Sequence, residues 1–317
     1  MLNKDKSVKI SILGLGSMGQ NHLRILSMLK NVELHYIFDI NQEVLSKLSA
    51  QYGVKCTTSI DVAASGADAV VICTPTCLHY EHFLLASKYS KAIFVEKPLA
   101  DSLERAKEIK DLASEMNIFV QTGFIERFNP AVMELKNIIS DDKAINIDLT
   151  RTNKLSSRIT DVDVILDLMI HDIDLALHLN GPITDVHANG VKENGLVAFA
   201  SAHFVHENGF YSRVLASRMT DKRIRRIQAT CRNSFVDCDL LRKEINVSMQ
   251  SEINDAPDKA YSISSVEHEV ALRPQEALLV ELQAFVQGCL SGNVDVPGAD
   301  AGIAALEICE QIKGQIS

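Results

Sequence analysis

The chain has 317 residues, 46% of them hydrophobic and 23% charged, with a formal net charge of −9 and a pI of about 5.6. That is the balance of a soluble globular protein of two domains, and its acidity argues against nucleic acid or an anionic membrane surface as partner. No apolar run is long enough to span a bilayer, and the seven scattered cysteines contain no C-x-x-C pair, so neither a disulfide framework nor a zinc site is indicated and no metal is expected.

The polar start, Met1 to Ser7, leads straight into a strand and does not read as a signal peptide, so a reducing cytoplasm is the expected compartment. Val8 to Leu13 is a short β-branched and apolar run, a buried strand. Gly14-Leu15-Gly16-Ser17-Met18-Gly19 follows, and Gln20 to Leu29 carries apolar residues at helical spacing. This is G-x-G-x-x-G in the strand–turn–helix setting that gives the motif meaning. Gly14 permits the tight turn, Gly16 lets the backbone approach a pyrophosphate, and Gly19 allows close helix–strand packing. The helix N-terminus, with Ser17 and Met18 in the turn before it, offers N–H groups to the phosphates. The next strand, Glu33 to Phe38, ends in Asp39, twenty residues after Gly19. A carboxylate there accepts hydrogen bonds from an adenosine ribose and repels a 2′-phosphate, which favours NAD over NADP. The plainer alternative is an exposed Asp opening a turn.

Beyond Asp39 the chain alternates: a helix over Glu43 to Gln51, a short helix over Asp61 to Ser65, a strand over Asp68 to Cys73, a helix over His79 to Ser87 and a strand over Ala92 to Val95. A long amphipathic helix, Asp101 to Asn117, and a strand, Ile118 to Thr122, complete the pattern. Strands and helices at this spacing mean an α/β fold with a parallel, doubly wound sheet. Val95-Glu96-Lys97-Pro98 lies at a strand end, where ligands bind in such sheets. Pro98 stops the strand, which places Lys97 where cofactor and substrate would meet. The plainer alternative is a surface Glu–Lys pair before a turn.

Gly123 to Pro130 is the crossover into a second domain, giving domains of 1–123 and 124–317, with the last helices free to pack back on the first. Arg127 and Asn129 lie on this crossover loop and are candidate substrate contacts; alternatively Arg127 pairs with a neighbouring carboxylate. A helix over Ala131 to Ile138 and a strand over Ala144 to Arg151 follow. From Asp161 to Asn180 an apolar helix face is accompanied by Asp167, His171 and Asp174 at i, i+4 and i+7, a spacing that stacks three polar groups on one face. His171, one turn from the Asp167 carboxylate, is a plausible acid–base group. His178 reads as structural. From Thr184 the pattern is alternating and β-rich, a mostly antiparallel open sheet. Lys222-Arg223-Ile224-Arg225-Arg226 reads as a solvated sheet edge, or as a contact for a substrate diphosphate. Ser251 to Ala260 is polar and loop-like, and Gln275 to Gly288 and Ala299 to Lys313 are closing helices.

The stretches Gly14 to His22, Cys73-Thr74-Pro75-Thr76-Cys77-Leu78-His79, Val95-Glu96-Lys97-Pro98-Leu99, Gly123 to Pro130 and Asp167 to Asp174 together resemble the glucose–fructose oxidoreductase, inositol dehydrogenase and rhizopine-catabolism (Gfo/Idh/MocA) family, in family order over nearly the whole chain. The resemblance implies an NAD(P)-dependent oxidoreductase of sugars or cyclitols and a homodimer or homotetramer. It implies that Thr74, Pro75, His79 and Glu96 lie along the nicotinamide half of the cofactor, and that Asp167 and His171 form the catalytic pair with Lys97. On this basis His171 is the base, Asp167 orients it, and Lys97 holds the substrate hydroxyl, although the roles of Lys97 and His171 are exchangeable. Ile125 to Val132 and Asp167 to Asp174 look like the branch that includes UDP-N-acetylglucosamine 3-dehydrogenases, which implies a nucleotide-sugar substrate. A glycine run usual before the aspartate is replaced here by Asp163-Val164-Ile165-Leu166. The alternatives are a dehydrogenase of inositol or a simple sugar, oxidation-linked glycosidase chemistry, and a non-enzymatic NAD- or sugar-sensing regulator.

Overall fold

The structure is a computed structural model that describes residues 7–153, 162–249, 266–292 and 294–316. The polar stretch read at Ser251 to Ala260 and the first residue of the helix read from Asp161 lie outside the described residues. The chain divides into two compact units, one of Met1–Ile125 with Glu276–Glu307, the other of Glu126–Gln275 with Ile308–Ser317.

The first unit alternates as β1 (Val8–Leu13), α1 (Ser17–Leu26), β2 (Val32–Phe38), α2 (Gln42–Tyr52), β3 (Lys55–Thr57), α3 (Ile60–Ala64), β4 (Ala69–Ile72), α4 (His79–Ser87), β5 (Ala92–Glu96), α5 (Leu103–Met116) and β6 (Phe119–Gly123). Its six strands are parallel in the order β3-β2-β1-β4-β5-β6. Every residue of β4 and β5 is buried, as sheets covered on both faces require. Asn41, Ser59 and Ser102 cap α2, α3 and α5 through their side-chain oxygens, each cap holding amides that the helix itself leaves unpaired. Helix α1 begins at Ser17, three residues earlier than the sequence pattern suggests, because Gly16 is already its N-cap. The strand order reverses between β1 and β4, the switch point where such sheets bind ligands.

The second unit follows with α6 (Pro130–Asp141), β7 (Ala144–Thr152), α7 (Ile170–Asn180), β8 (Ile183–Glu193), β9 (Leu196–His206), β10 (Tyr211–Ser217), β11 (Ile224–Cys231), β12 (Ser234–Asp239), β13 (Glu244–Met249) and β14 (Val266–Glu269). They form an eight-stranded sheet, β14-β13-β12-β11-β7-β10-β9-β8, in which β7 and β10 are parallel and the other pairs antiparallel. The basic run at Lys222 to Arg226 does not mark a sheet edge. It opens β11, an interior strand between β7 and β12, where Arg226 pairs with Asp237 of β12 and Arg225 with Glu126. Lys222, Arg223 and Arg226 stay exposed, while Arg225 is half-buried against Glu126. Helices α8 (Ala277–Ser291) and α9 (Ala299–Gln315) close the chain. Leu278, Leu282, Phe285 and Val286 of α8 enter the first unit's core beside Ile10, Ile12 and Phe94. A Cβ on Gly288 would lie 2.2 Å from the Phe119 ring, so this glycine lets α8 approach β6. No helix among the described residues is long and apolar enough to cross a membrane.

Candidate functional site

In the first unit, Gly14 turns the chain out of β1 with φ +89°, and its missing Cβ would meet the backbone of Cys73 and Thr74 at 2.8 Å. Gly19 is tighter: a Cβ there would lie 1.9 Å from the Gly14 carbonyl oxygen. Both glycines are therefore demanded by the fold of the loop. Gly16 is different, since a Cβ would meet nothing within 4 Å. Gly16, Ser17 and Met18 are exposed at the N-terminus of α1, whose first turn has no acidic side chain. This is open space faced by helix N–H groups and positive partial charge, a fit for phosphate oxygens. Asp39 stands beside it, half-buried. Its Oδ2 accepts the Leu15 N–H at 2.7 Å and its Oδ1 the Asn41 N–H at 2.8 Å. An ionised carboxylate has further lone pairs, so the same group can brace the loop and accept ribose hydroxyls.

Lys97 is half-buried beyond the end of β5, joined to Pro98 by a cis peptide bond. The turn is braced by two histidines. His22 of α1, fully buried, donates from Nε2 to Oε1 of Glu96 at 2.6 Å, and Oε2 of Glu96 accepts the Lys97 N–H at 3.2 Å. His79, 1% exposed, reaches the Pro98 carbonyl from Nδ1 at 2.8 Å and the Thr74 carbonyl from Nε2 at 2.9 Å. Two carbonyls accept, so only the doubly protonated ring satisfies both at once, while burial pushes the pKa of His79 down. The ring nitrogens of His79, read as lying along the nicotinamide half, are engaged with the backbone of two turns. The Thr74 side chain is likewise turned inward, paired with Nδ1 of His82 at 2.9 Å. Pro75 is exposed. Glu96 is 9% exposed and serves the Lys97 turn.

In the second unit, residues 165–169 form a π-helical turn that runs into α7. The α-helical stacking expected for Asp167, His171 and Asp174 is thereby changed, because Asp167 lies on the wider turn. Asp167 and His171 are half-buried, whereas Asp174 is 1% exposed. Arg218, itself buried, donates to Oδ2 of Asp167 at 2.7 Å and to the Val162 carbonyl. Asp174 receives Arg127 in a two-pronged ion pair of 2.6 and 2.8 Å. Burial pushes the Asp174 carboxyl up to about 6, the Arg127 fork opposing it. The Asn129 carbonyl caps α6 through the Ala131 N–H, and its amide donates to Glu126. Asn129, read as a candidate substrate contact, is 6% exposed with both ends of its side chain engaged.

A buried charge network lies behind this face. Arg151 donates to both oxygens of Asp172 at 2.7 and 2.9 Å and to Glu126 at 2.9 Å, and Arg225 reaches the same Glu126 oxygen at 3.2 Å. Burial raises the Glu126 pKa, but Arg151 and Arg225 outweigh it and hold the carboxyl below its usual value. Nothing in the sequence pattern singles out Arg151, Asp172 or Arg218, because their partners are distant in the chain. His22, by contrast, stands three residues past Gly19, at the start of the one helix already marked as functional.

His178 gives an acid-stability prediction. Burial, with Arg127 and Lys136 adding to it, lowers its pKa to about 3. The native state holds the ring neutral while the unfolded chain takes up a proton near pH 6.5, so stability falls as pH drops below that value. His178→Gln is expected to remove at most about 2 kcal/mol of the stability lost between pH 7 and pH 5, measured by urea unfolding at both pH values. Equal losses in parent and variant would refute this.

Residues 8–124 match the oxidoreductase family with an NAD-binding Rossmann fold, and residues 146–235 match the GFO/IDH/MocA C-terminal domain. The chain belongs to the Gfo/Idh/MocA family. It is an oxidoreductase, a nicotinamide-dependent dehydrogenase with an NAD-binding Rossmann domain. Among its Gfo/Idh/MocA relatives is UDP-N-acetylglucosamine 3-dehydrogenase of Acidithiobacillus ferrooxidans, 27% identical over 283 residues and covering 88% of each chain. The structure of that enzyme superposes with a TM-score of 0.89 at 25% identity, covering 98% of each chain. Inositol 2-dehydrogenase of Rhizobium meliloti is 25% identical over 322 residues, 96% of this chain and 95% of that one.

Proposed function

We propose that the protein oxidises a secondary hydroxyl of a sugar with NAD, and that the C3 hydroxyl of UDP-N-acetylglucosamine is its target. The observation that carries the reading is Lys97, half-buried on a braced turn at the ligand edge of a sheet whose phosphate loop is open at Gly16. The similarity to UDP-N-acetylglucosamine 3-dehydrogenase over most of both chains supports the substrate. Gly14, Gly16, Ser17, Met18 and Gly19 would hold the pyrophosphate, Asp39 the adenosine ribose, and the Thr74–Pro75 and Glu96–Lys97 turns the nicotinamide half.

Bound NAD would supply the acceptor for the hydride that leaves the carbinol carbon. The chain's own residues manage the proton and the geometry. Lys97 holds the substrate oxygen by donating from Nζ. His171 accepts the hydroxyl proton on a ring nitrogen as the carbon–oxygen double bond forms, giving the ketone. Asp167, fixed by Arg218, orients His171. Arg127 keeps α7 in place through Asp174. The cytoplasm is the proposed compartment, and a homodimer or homotetramer the proposed assembly.

The test is NADH formation with UDP-N-acetylglucosamine, with a carbonyl trap to pull the equilibrium, beside inositol, glucose and NADP in separate arms. The reading expects turnover with the nucleotide sugar, little with inositol or glucose, and kcat/KM at least about tenfold lower with NADP, the gap narrowing in Asp39→Ser. Turnover of inositol alone moves the assignment to a cyclitol dehydrogenase, and equal efficiency with NADP removes the role given to Asp39.

A further inference from the structure

Beneath the phosphate loop lies a small buried polar group. The ligand atoms of His22, Cys73 and Glu96 come within 4.8 Å of one another. A metal ion shared by the three would need a wider spacing. Two ligand atoms held tetrahedrally at about 2.0–2.1 Å from zinc stand roughly 3.3 Å apart. The His22–Glu96 contact is 2.6 Å, too short for two groups sharing a cation and right for a charge-assisted hydrogen bond. Burial, then the charges of Glu96 and Glu281, pushes the Cys73 thiol well above its usual pKa, so it stays protonated and a poor ligand. The group is a hydrogen-bond bridge.

The bridge has a direction. His22 sits on α1, the helix whose N-terminus faces the phosphates, and its ring is fixed edge-on to Phe94 of β5, centroids 5.1 Å apart. Its Nε2 holds one oxygen of Glu96, and the other oxygen holds the Lys97 N–H. Gly123 leaves the room this needs, since a Cβ there would stand 2.8 Å from Oε2 of Glu96. Without His22, the carboxylate loses the donor that fixes its rotamer and is free to leave the Lys97 amide.

We propose that His22 is a positioning residue for Lys97, fixing the Lys97 backbone through Glu96 and so tying the phosphate helix to the turn that carries the substrate hydroxyl partner. The inference rests on the reading of Lys97 given above. His22 touches neither substrate nor reacting atoms.

The first test needs no substrate. Backbone amide exchange is measured by NMR on the full chain with NAD bound, comparing the parent with His22→Leu and His22→Gln. In His22→Leu the Lys97 amide is expected to exchange at least about tenfold faster, with the amide of Ile10 in β1 unchanged. His22→Gln keeps an N–H donor near the position of Nε2 and is expected to restore most of the protection. In turnover, His22→Leu is expected to lower kcat about tenfold with KM for NAD within twofold of the parent, and His22→Gln to recover it. Unchanged exchange at Lys97, or a loss shared equally by NAD affinity, overturns the proposal. Should His22→Leu not fold, His22→Ala and Glu96→Ala break the same bridge from its two sides. Combined, they cost no more than the larger single loss if the two residues act together, and additive losses overturn the proposal. Parent-level turnover in Lys97→Ala would instead sink the underlying reading, leaving the exchange result to stand by itself.

Discussion

Lys97→Ala is expected to lower kcat by about 10²–10⁴-fold while NAD still binds, because a positioned polar group at the reacting oxygen contributes on that scale. The backbone of the turn is held by Glu96 and His79, so the loop should survive the truncation. His171→Ala is expected to fall in the same range. The two differ in their pH dependence. A base must be unprotonated to work, so kcat/KM of the parent falls as pH drops below the pKa of whichever residue takes the proton. If His171 is that residue, the acidic limb disappears in His171→Ala and persists in Lys97→Ala. The opposite pattern exchanges the two roles. Full activity in both variants would remove these two residues from the site, whereas NAD binding with no sugar turned over by the parent would turn attention to an NAD-sensing function.

Arg151→Met is expected to destabilise the second unit by about 3–5 kcal/mol, the cost of breaking a buried ion pair from one side. Arg151 is 2% exposed, and removing it leaves Asp172 without its two-pronged partner and Glu126 with Arg225 at 3.2 Å. Replacing both Arg151 and Asp172 by apolar residues is expected to recover much of the loss, since two desolvated charges leave together. Urea unfolding followed by far-UV circular dichroism measures both. A loss under about 1 kcal/mol in the single variant would mean that water reaches the network when the arginine is gone.

The network also bears on the site. Asp172 is flanked in sequence by His171, and Glu126 by Arg127. The buried charges therefore anchor the backbone positions next to both, while Arg127 and Asp174 tie the same two segments together a second time. The crossover loop and α7 are thus clamped by ion pairs. Asn129 adds to this clamp, for its side-chain amide joins Glu126 to the start of α6.

By itself the sequence determined the features that rest on local physics. Glycines at 14, 16 and 19 and continuous apolar runs such as β4 and β5 act within a few residues, so the parallel sheet, the glycine loop and the position of Lys97 at a strand end are legible from the chain alone. The alternation after Thr184 marked a second sheet but not its order, and so the basic run at Lys222 to Arg226 read as an edge when it opens an interior strand. Only the tertiary structure decided where the polar side chains go. His79 is turned onto two backbone carbonyls, Asp167 onto Arg218, Asp174 onto Arg127, and His22 onto Glu96. The reason is physical: a buried polar group must find a partner of matching geometry, that partner is commonly dozens of residues away, and no periodicity in the chain records the pairing.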